Sequence, residues 1–263
     1  MTQPLRVFIT GASDGLGAAL ARHYAKRDVV LGLAARRGEQ LEKLAASLTS
    51  DTNISVTCFT YPLDVVDADD LRAAAADFID RAGLPDIVIA NAGISVGTLT
   101  EEASDLAAFS RVMQVNVLGM VNTFHPFVAA MRQAQRGQLV GIASLAGIRG
   151  MPGAGAYSAS KAAVISYLES LRVELHGSGV RVATILPGYV ETSMTAGNPF
   201  RMPFMLSADE AARRIARRLA RGASYAVVPW QMAIVARLLR WLPNALFDRL
   251  FARAARKPRQ LPL

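Results

Sequence analysis

Tyr157 and Lys161 stand four residues apart, with Ser158, Ala159 and Ser160 between them. On a helix this spacing puts a phenol and an ammonium on one face. A tyrosine hydroxyl has a pKa near ~10, so it works as a base at neutral pH only with help. A neighbouring ammonium favours the phenolate, and a shift of ~3 units corresponds to roughly 4 kcal/mol. Ser144 follows an apolar run, thirteen residues before Tyr157. A hydroxyl there could orient and polarise a carbonyl. Asn116 lies in a long segment of helical spacing, where its amide could fix a water beside Lys161. Each has a plainer reading when taken alone: an exposed Tyr–Lys pair, or a serine that caps a turn.

A second set of residues gives these groups something to act with. The first apolar run ends in Thr10 and continues through Gly11, Ala12, Ser13, Asp14, Gly15, Leu16 and Gly17. Glycines between a strand and a helix permit a tight turn and a close backbone approach to a pyrophosphate at the helix N-terminus. The spacing, Gly-x3-Gly-x-Gly, differs from the commoner Gly-x-Gly-x2-Gly, and an ordinary strand–helix turn is the alternative. An acidic residue about 20 positions beyond the glycines would hold a ribose 2′-hydroxyl. Here that place reads Ala35, Arg36, Arg37. A guanidinium can clamp a 2′-phosphate, which favours NADP(H) over NAD(H), and Ser13 is near enough to assist. The alternative is that both arginines belong to a solvated loop. Asp64, next to Val65, could hydrogen-bond an adenine amino group or cap a helix. Asn91, Ala92 and Gly93 could run along the cofactor or form a plain turn. An oxidised nicotinamide beside Tyr157 would favour the phenolate further.

The elements that must position these residues alternate. Strand-like runs cover 5–10, 29–35, 54–61, 86–90, 138–143, 180–186 and 224–229. Most are continuously apolar, as strands covered on both faces are. Segments with helical spacing cover 16–26, 39–48, 69–81, 106–132, 157–176 and 208–221. The last opens with Ser207 and has Glu210 three residues on, a capping box. This alternation predicts a doubly wound α/β fold, a parallel sheet of about seven strands in one domain spanning 1–263, with 230–263 as a helical extension of that domain.

Composition excludes several classes. Hydrophobic residues make up 52% of the 263, which argues against disorder. A single cysteine, Cys58, excludes a disulfide framework within the chain, and its apolar surroundings predict a buried structural thiol. No secretory signal or spanning helix is expected, which suits a cytoplasmic protein, and His23, His125 and His176 form no metal cluster. Residues 1–200 carry 16 Lys+Arg against 18 Asp+Glu, whereas residues 201–263 carry 13 against 3. The basic character of the chain therefore belongs to its C-terminal quarter. No nucleic-acid recognition motif accompanies it.

The sequence resembles the short-chain dehydrogenase/reductase family in its shorter, single-domain form. The resemblance rests on Thr10–Gly17, Asn91–Gly93, Asn116–Gly119, Ser144, Tyr157–Lys161 and Pro187–Gly188 with Thr192, in the family's order over about residues 5–195. It implies that Tyr157 is the general acid in reduction and the base in oxidation. Lys161 would bind the nicotinamide ribose and lower the Tyr157 pKa, Ser144 would steady the substrate oxygen, and Asn116 would hold a proton-relay water. Pro187, Gly188, Val190 and Thr192 would meet the nicotinamide end, with Thr192 on its carboxamide. A homodimer or homotetramer formed through 106–132 and 157–176 is also implied. The resemblance points to an NADP(H)-dependent oxidoreductase acting on a small-molecule carbonyl or alcohol. An NAD(H) enzyme and a non-catalytic nucleotide-binding scaffold are the alternatives.

Two stretches bear on the substrate. Residues 189–206 carry Met194, Phe200, Met202, Phe204 and Met205, and could be a lid over a lipophilic substrate or a loop packed on the core. No obvious charged anchor for an acidic substrate stands out, although Arg149 and Arg201 could serve as one. Beyond Pro229, segments 232–242 and 245–256 are amphipathic, the second with Leu246, Phe247, Leu250, Phe251 and Ala254 opposite Arg249, Arg253 and Arg256. With Trp230 and Trp241, this tail could meet an anionic membrane surface or pack on its own domain or a second subunit.

Overall fold

The structure, a computed structural model, describes residues 3–50 and 53–259. In chain order it runs β1 (Leu5–Thr10), α1 (Gly15–Tyr24), β2 (Val29–Ala35), α2 (Gly38–Leu48), β3 (Val56–Pro62), α3 (Ala68–Ala82) and β4 (Ile87–Ala90). It continues with α4 (Asp105–Met113), a π-helical turn (Gln114–Leu118), α5 (Gly119–Gln133), β5 (Gln138–Ile142), a 3-10 turn (Leu145–Gly147) and α6 (Gly155–Glu174). The rest comprises β6 (Arg181–Pro187), β7 (Val190–Glu191), α7 (Ser193–Ala196), β8 (Leu206–Ser207), α8 (Ala208–Ala220), β9 (Tyr225–Val228), α9 (Gln231–Trp241) and α10 (Asn244–Phe251).

Seven strands form one parallel sheet in the order β3-β2-β1-β4-β5-β6-β9. The order reverses between β1 and β4, and that crevice is where such sheets take ligands. Alternation within β1 explains the two layers of helices. Val7 and Ile9 face a core with Leu20, Leu41, Ile215 and Leu219 from α1, α2 and α8. Phe8 faces the other core, with Phe78, Phe124, Phe127 and Leu168 from α3, α5 and α6. Both faces are covered, so the central strands are apolar throughout. β3 is the exception: as an edge strand it is only half-buried, and it starts at Val56 rather than 54.

The segment 106–132 is not the single helix its spacing suggests. A π-helical turn divides it into α4 and α5, with the buried Asn116 in that turn. One extra residue per turn rotates the following helix without disturbing the apolar pattern, so periodicity alone misses it. The capping box predicted for α8 is half made: Ser207 accepts from the Glu210 N–H at 3.3 Å, but the Glu210 carboxylate is taken by Arg213 and Arg214.

The tail packs back on the domain through one face and leaves the other in solvent. Met232, Ala236 and Phe247 are buried, whereas Trp230, Ile234, Leu238, Trp241, Leu246 and Leu250 are exposed. Arg149 holds both helices. It donates to Leu239 O (2.6 Å), to Leu242 O and to Asn244 Oδ1 (2.9 Å), and lies 4.0 Å from the Phe247 ring centroid. Arg149 is therefore spent on the tail and does not serve as a substrate anchor.

Candidate active site

The glycine turn is built by close contact. Gly11 has φ +67°, and a Cβ there would lie 2.7 Å from Ala92 Cα. A Cβ on Gly17 would lie 2.1 Å from Gly11 O, so α1 can begin this close to β1 only with glycine at that position. Asn91 completes the turn, its amide donating to Thr10 O (3.2 Å) and Gly11 O (3.1 Å). Thr10 ties the same two strands, accepting from Asn91 N–H at 3.3 Å. The first-turn N–H groups of α1, at Leu16 and Gly17, have no preceding helical carbonyl and suit a phosphate.

At the end of β2, Arg37 donates to Ser13 Oγ at 3.2 and 3.1 Å and lies 3.5 Å from Asp14. The hydrogen bond from Ser193 is the main influence holding the Asp14 carboxyl below its ordinary range, with Arg37 assisting. Asp64 caps no helix: Asp67 is the N-cap of α3. Asp64 instead accepts from Val66 N–H at 3.1 Å and pairs with Arg111. Burial pushes its carboxyl up, but these partners outweigh it and leave the pKa lowered.

Ser144, Tyr157 and Lys161 converge beyond the carboxyl end of β5. Ser144 caps the 3-10 turn, accepting from Ala146 N–H at 3.2 Å, and also hydrogen-bonds the Tyr157 hydroxyl. The cap and the chemical reading thus coexist. Lys161 is 4% exposed, and its Nζ donates to Ile142 O at 2.9 Å. Burial brings its ammonium down to about 8. Its Nζ lies 5.8 Å from the Tyr157 ring centroid. Burial raises the Tyr157 phenol, and the Ser144 hydrogen bond only partly offsets this. The phenol is thus raised rather than lowered as the resemblance implies, burial outweighing what favours the phenolate. A protonated phenol in this position is equipped to donate a proton.

Asn116 is held on all sides. Its Oδ1 accepts from Ile94 N–H (2.8 Å), and its Nδ2 donates to Ile94 O (3.0 Å) and Ser160 Oγ (2.9 Å). One lone pair of Oδ1 remains for a water. A Cβ on Gly93 would lie 3.2 Å from this Oδ1 and 3.6 Å from Lys161 Nζ, so Gly93 keeps the two groups accessible to one small space. Ser160 and Ile142 are partners that no sequence pattern announced, since one acts through a side chain and the other through its backbone.

The β6 loop closes the other side. A Cβ on Gly15 would lie 3.0 Å from Thr192 Cγ2, so the glycine turn and this loop touch. Thr192 caps α7 in a capping box with Thr195. The segment 189–206 is a loop with tied ends, Val190 pairing with Leu206, while Met194, Phe204 and Met205 are exposed. It is therefore not a loop buried on the core.

The sequence profile described as short chain dehydrogenase matches residues 6–200. The chain belongs to the short-chain dehydrogenase family. It is an oxidoreductase of that family. An uncharacterized oxidoreductase of Myxococcus xanthus is 40% identical over 240 residues, covering 91% of this chain and 93% of that protein. An 11-beta-hydroxysteroid dehydrogenase 1A of Arabidopsis thaliana is 36% identical over 194 residues, 74% of this chain and 54% of that one. Among solved structures, a Burkholderia cenocepacia short chain dehydrogenase in complex with NADP superposes with TM-score 0.78 at 28% identity, covering 94% and 98% of the two chains. A Burkholderia phymatum short-chain dehydrogenase/reductase in complex with NAD reaches 0.80 at 24% identity, covering 98% and 99%, and that likeness concerns the fold.

Proposed function

We propose that this short-chain dehydrogenase moves a hydride between NADP(H) and a ketone or secondary alcohol with a lipophilic body. The observation that carries this reading is the convergence of Ser144, Tyr157 and Lys161 beside the glycine turn of Gly11, Gly15 and Gly17. Bound there, the dinucleotide supplies or accepts the hydride. The chain's own residues manage the proton and the orientation. Tyr157 donates its proton to the carbonyl oxygen in reduction and takes one from the alcohol in oxidation. Ser144 Oγ shares that oxygen and fixes its position. Lys161, anchored on Ile142 O, has two further N–H bonds for the ribose hydroxyls. Asn116 offers its remaining lone pair to a water that reloads the proton. Asp64 and Val65 border the adenine end. Asn91, Ala92 and Gly93 line the middle, and Pro187, Gly188, Val190 and Thr192 meet the nicotinamide end.

The preference for the 2′-phosphate is supported by Arg37 reaching Ser13 and by the absence of a carboxylate at Arg36–Arg37. The test is steady-state turnover with NADPH and NADH, for wild type and Tyr157→Phe. NADPH is expected to be preferred by at least about tenfold, one charge-assisted contact's worth of ~1.4 kcal/mol. Tyr157→Phe is expected to bind cofactor normally while losing turnover about 10²–10⁴-fold. Near-normal turnover in that variant sinks the reading.

Further parts of this reading rest on exposed apolar side chains. Leu106, Phe109 and Leu118 on the α4–α5 segment and Val173 on α6 are supports for a homo-oligomer, which light scattering on Leu118→Glu would test by dissociation. The exposed Trp230, Ile234, Leu238 and Trp241 share one face of α9 beside Arg237, which supports peripheral contact with an anionic membrane. Among the described residues no helix is long and apolar enough to cross one. Flotation with anionic and neutral vesicles tests the contact, and equal recovery in both rejects it.

A further inference from the structure

The last described residues form a strap across the mouth of the site. Gly97 N–H donates to Pro258 O at 2.8 Å, and a Cβ on Gly97 would lie 2.2 Å from Lys257 O. A Cβ on Gly153 would lie 2.8 Å from Arg256 Cβ. Two glycines on different loops thus leave room for the same strap. Those loops meet beneath it, with Thr98 bridging Ala154 and the Thr98 hydroxyl accepting from Ala156 N–H at 3.1 Å, one residue before Tyr157. Arg259 fastens the end of the strap to Asp105 (2.9 Å) and Glu102 (3.1 Å). Lys257 Nζ reaches across to Met194 O at 3.1 Å, in the helix that follows Thr192. The strap therefore joins three loops that rise from the carboxyl edge of the sheet, after β4, β5 and β6, the edge where substrate enters.

Lys257 differs from the other cations of this rim. Arg149 is used by the tail, Arg259 is neutralised by two carboxylates, and Arg201 and Arg256 are exposed, the latter with its stem on Gly153. Lys257 is half-buried and has no carboxylate partner among the described residues. One of its three N–H bonds serves Met194 O, which leaves two. A half-buried ammonium without a counter-ion is costly, and an anion arriving with the substrate would relieve that cost. Its two free N–H bonds can serve the two oxygens of a carboxylate.

We propose that Lys257 is a specificity-determining residue of the substrate site, binding the carboxylate of a substrate whose carbonyl or carbinol lies at the other end of a lipophilic chain. This rests on the hydride-transfer reading above and sharpens it from a lipophilic ketone to an amphiphilic oxo or hydroxy acid. Burial holds the ammonium down at about 8.

The test uses methyl ketones of graded length that end in a carboxylate, each paired with its methyl ester, with NADPH consumption as readout. Lys257→Gln removes the charge but keeps a donor for Met194 O, so a merely structural clip would survive it. Wild type is expected to prefer the acid over the ester at one chain length. Lys257→Gln is expected to lower that acid-to-ester ratio of kcat/KM at least tenfold, through KM, with ester turnover within twofold of wild type. An unchanged ratio with both compounds turned over overturns this inference alone. Turnover of no acid and no ester by wild type overturns the hydride-transfer reading beneath it. Should Lys257→Gln fold poorly, the wild-type acid-to-ester ratio itself decides, and a ratio of one at every length overturns the inference.

Discussion

Gly17 and Gly97 face nearly the same obstacle in two different regions. A Cβ on Gly17 would lie 2.1 Å from Gly11 O, and one on Gly97 would lie 2.2 Å from Lys257 O. The first obstacle belongs to a turn locked between β1, β4 and α1 by Asn91 and Thr10. The second belongs to a terminal strap held by Arg259, Lys257 and one backbone hydrogen bond. The regions also differ in charge: residues 1–200 are nearly balanced, and residues 201–263 carry 13 Lys+Arg against 3 Asp+Glu. The body is built around close backbone contacts that cannot yield. The strap is attached by polar contacts that can.

The largest effect expected from that difference is on Gly17→Ala against Gly97→Ala. Overpacking an unyielding site costs about 3 kcal/mol or more, so Gly17→Ala should lower Tm by several degrees and abolish dinucleotide binding. Gly97→Ala should cost under about 1 kcal/mol, because the strap swings aside, and should leave cofactor affinity unchanged. Thermal melts and a cofactor titration on both variants check this. Equal destabilisation would erase the distinction between the regions.

A smaller effect is expected at their junction. Arg149→Met leaves Leu239 O, Leu242 O and Asn244 Oδ1 without their donor and removes the cation from the Phe247 ring. Hydrogen bonds to a charged group are worth roughly 1.5–3 kcal/mol, and that loss should fall on α9 and α10 alone. Limited proteolysis should then cut within 243–259 while the remaining body stays intact. Cleavage spread evenly over the chain would show that the tail is not separable in this way.

What could be read from the sequence follows the same division. The seven sheet strands show as apolar runs because both faces of the sheet are covered, and β1 and β2 match their expected limits residue for residue. Ser144, Tyr157 and Lys161 could be picked out because a strand end and one turn of helix fix their separation. The π-helical turn at Asn116 could not, since it leaves the apolar spacing intact. Asp64 offered two readings, and the helix cap went to Asp67, three residues later, where α3 begins. The part Arg149 plays in the tail could not be read, because its partners are carbonyls about 90 residues away, and carbonyls carry no sequence signature. The strap was hidden for the same reason: Gly97 and Gly153 are needed only because backbone and stem atoms of Arg256–Pro258 lie over them.

The smallest effect separates the buried Lys161 from the half-buried Lys257 by pH. Lys161 and Lys257 are both held down at about 8 from an ordinary 10.5 by burial. Below about pH 8 each is charged whether folded or not, and the folded state bears the cost of a buried cation. Above it, the folded protein releases the proton while the unfolded chain keeps it, so stability rises with pH until the unfolded lysine also titrates. For Lys161 the slope in that window is at most about 1.4 kcal/mol per pH unit. Tyr157, whose phenol is raised, works in the opposite direction only above its ordinary value of 10. Melting curves of the cofactor-free protein should therefore climb between pH 8 and 9, above which the buried Cys58 thiol, raised from 9 to about 11, opposes the lysines, and Lys161→Met should flatten most of that climb. Lys257→Gln should flatten a smaller part, because solvent reaches its ammonium. If Lys257→Gln has no effect while Lys161→Met does, the strap is already released before the body unfolds. If both contribute, strap and body melt together, and the softness of the tail concerns its local contacts rather than its place in the cooperative unit.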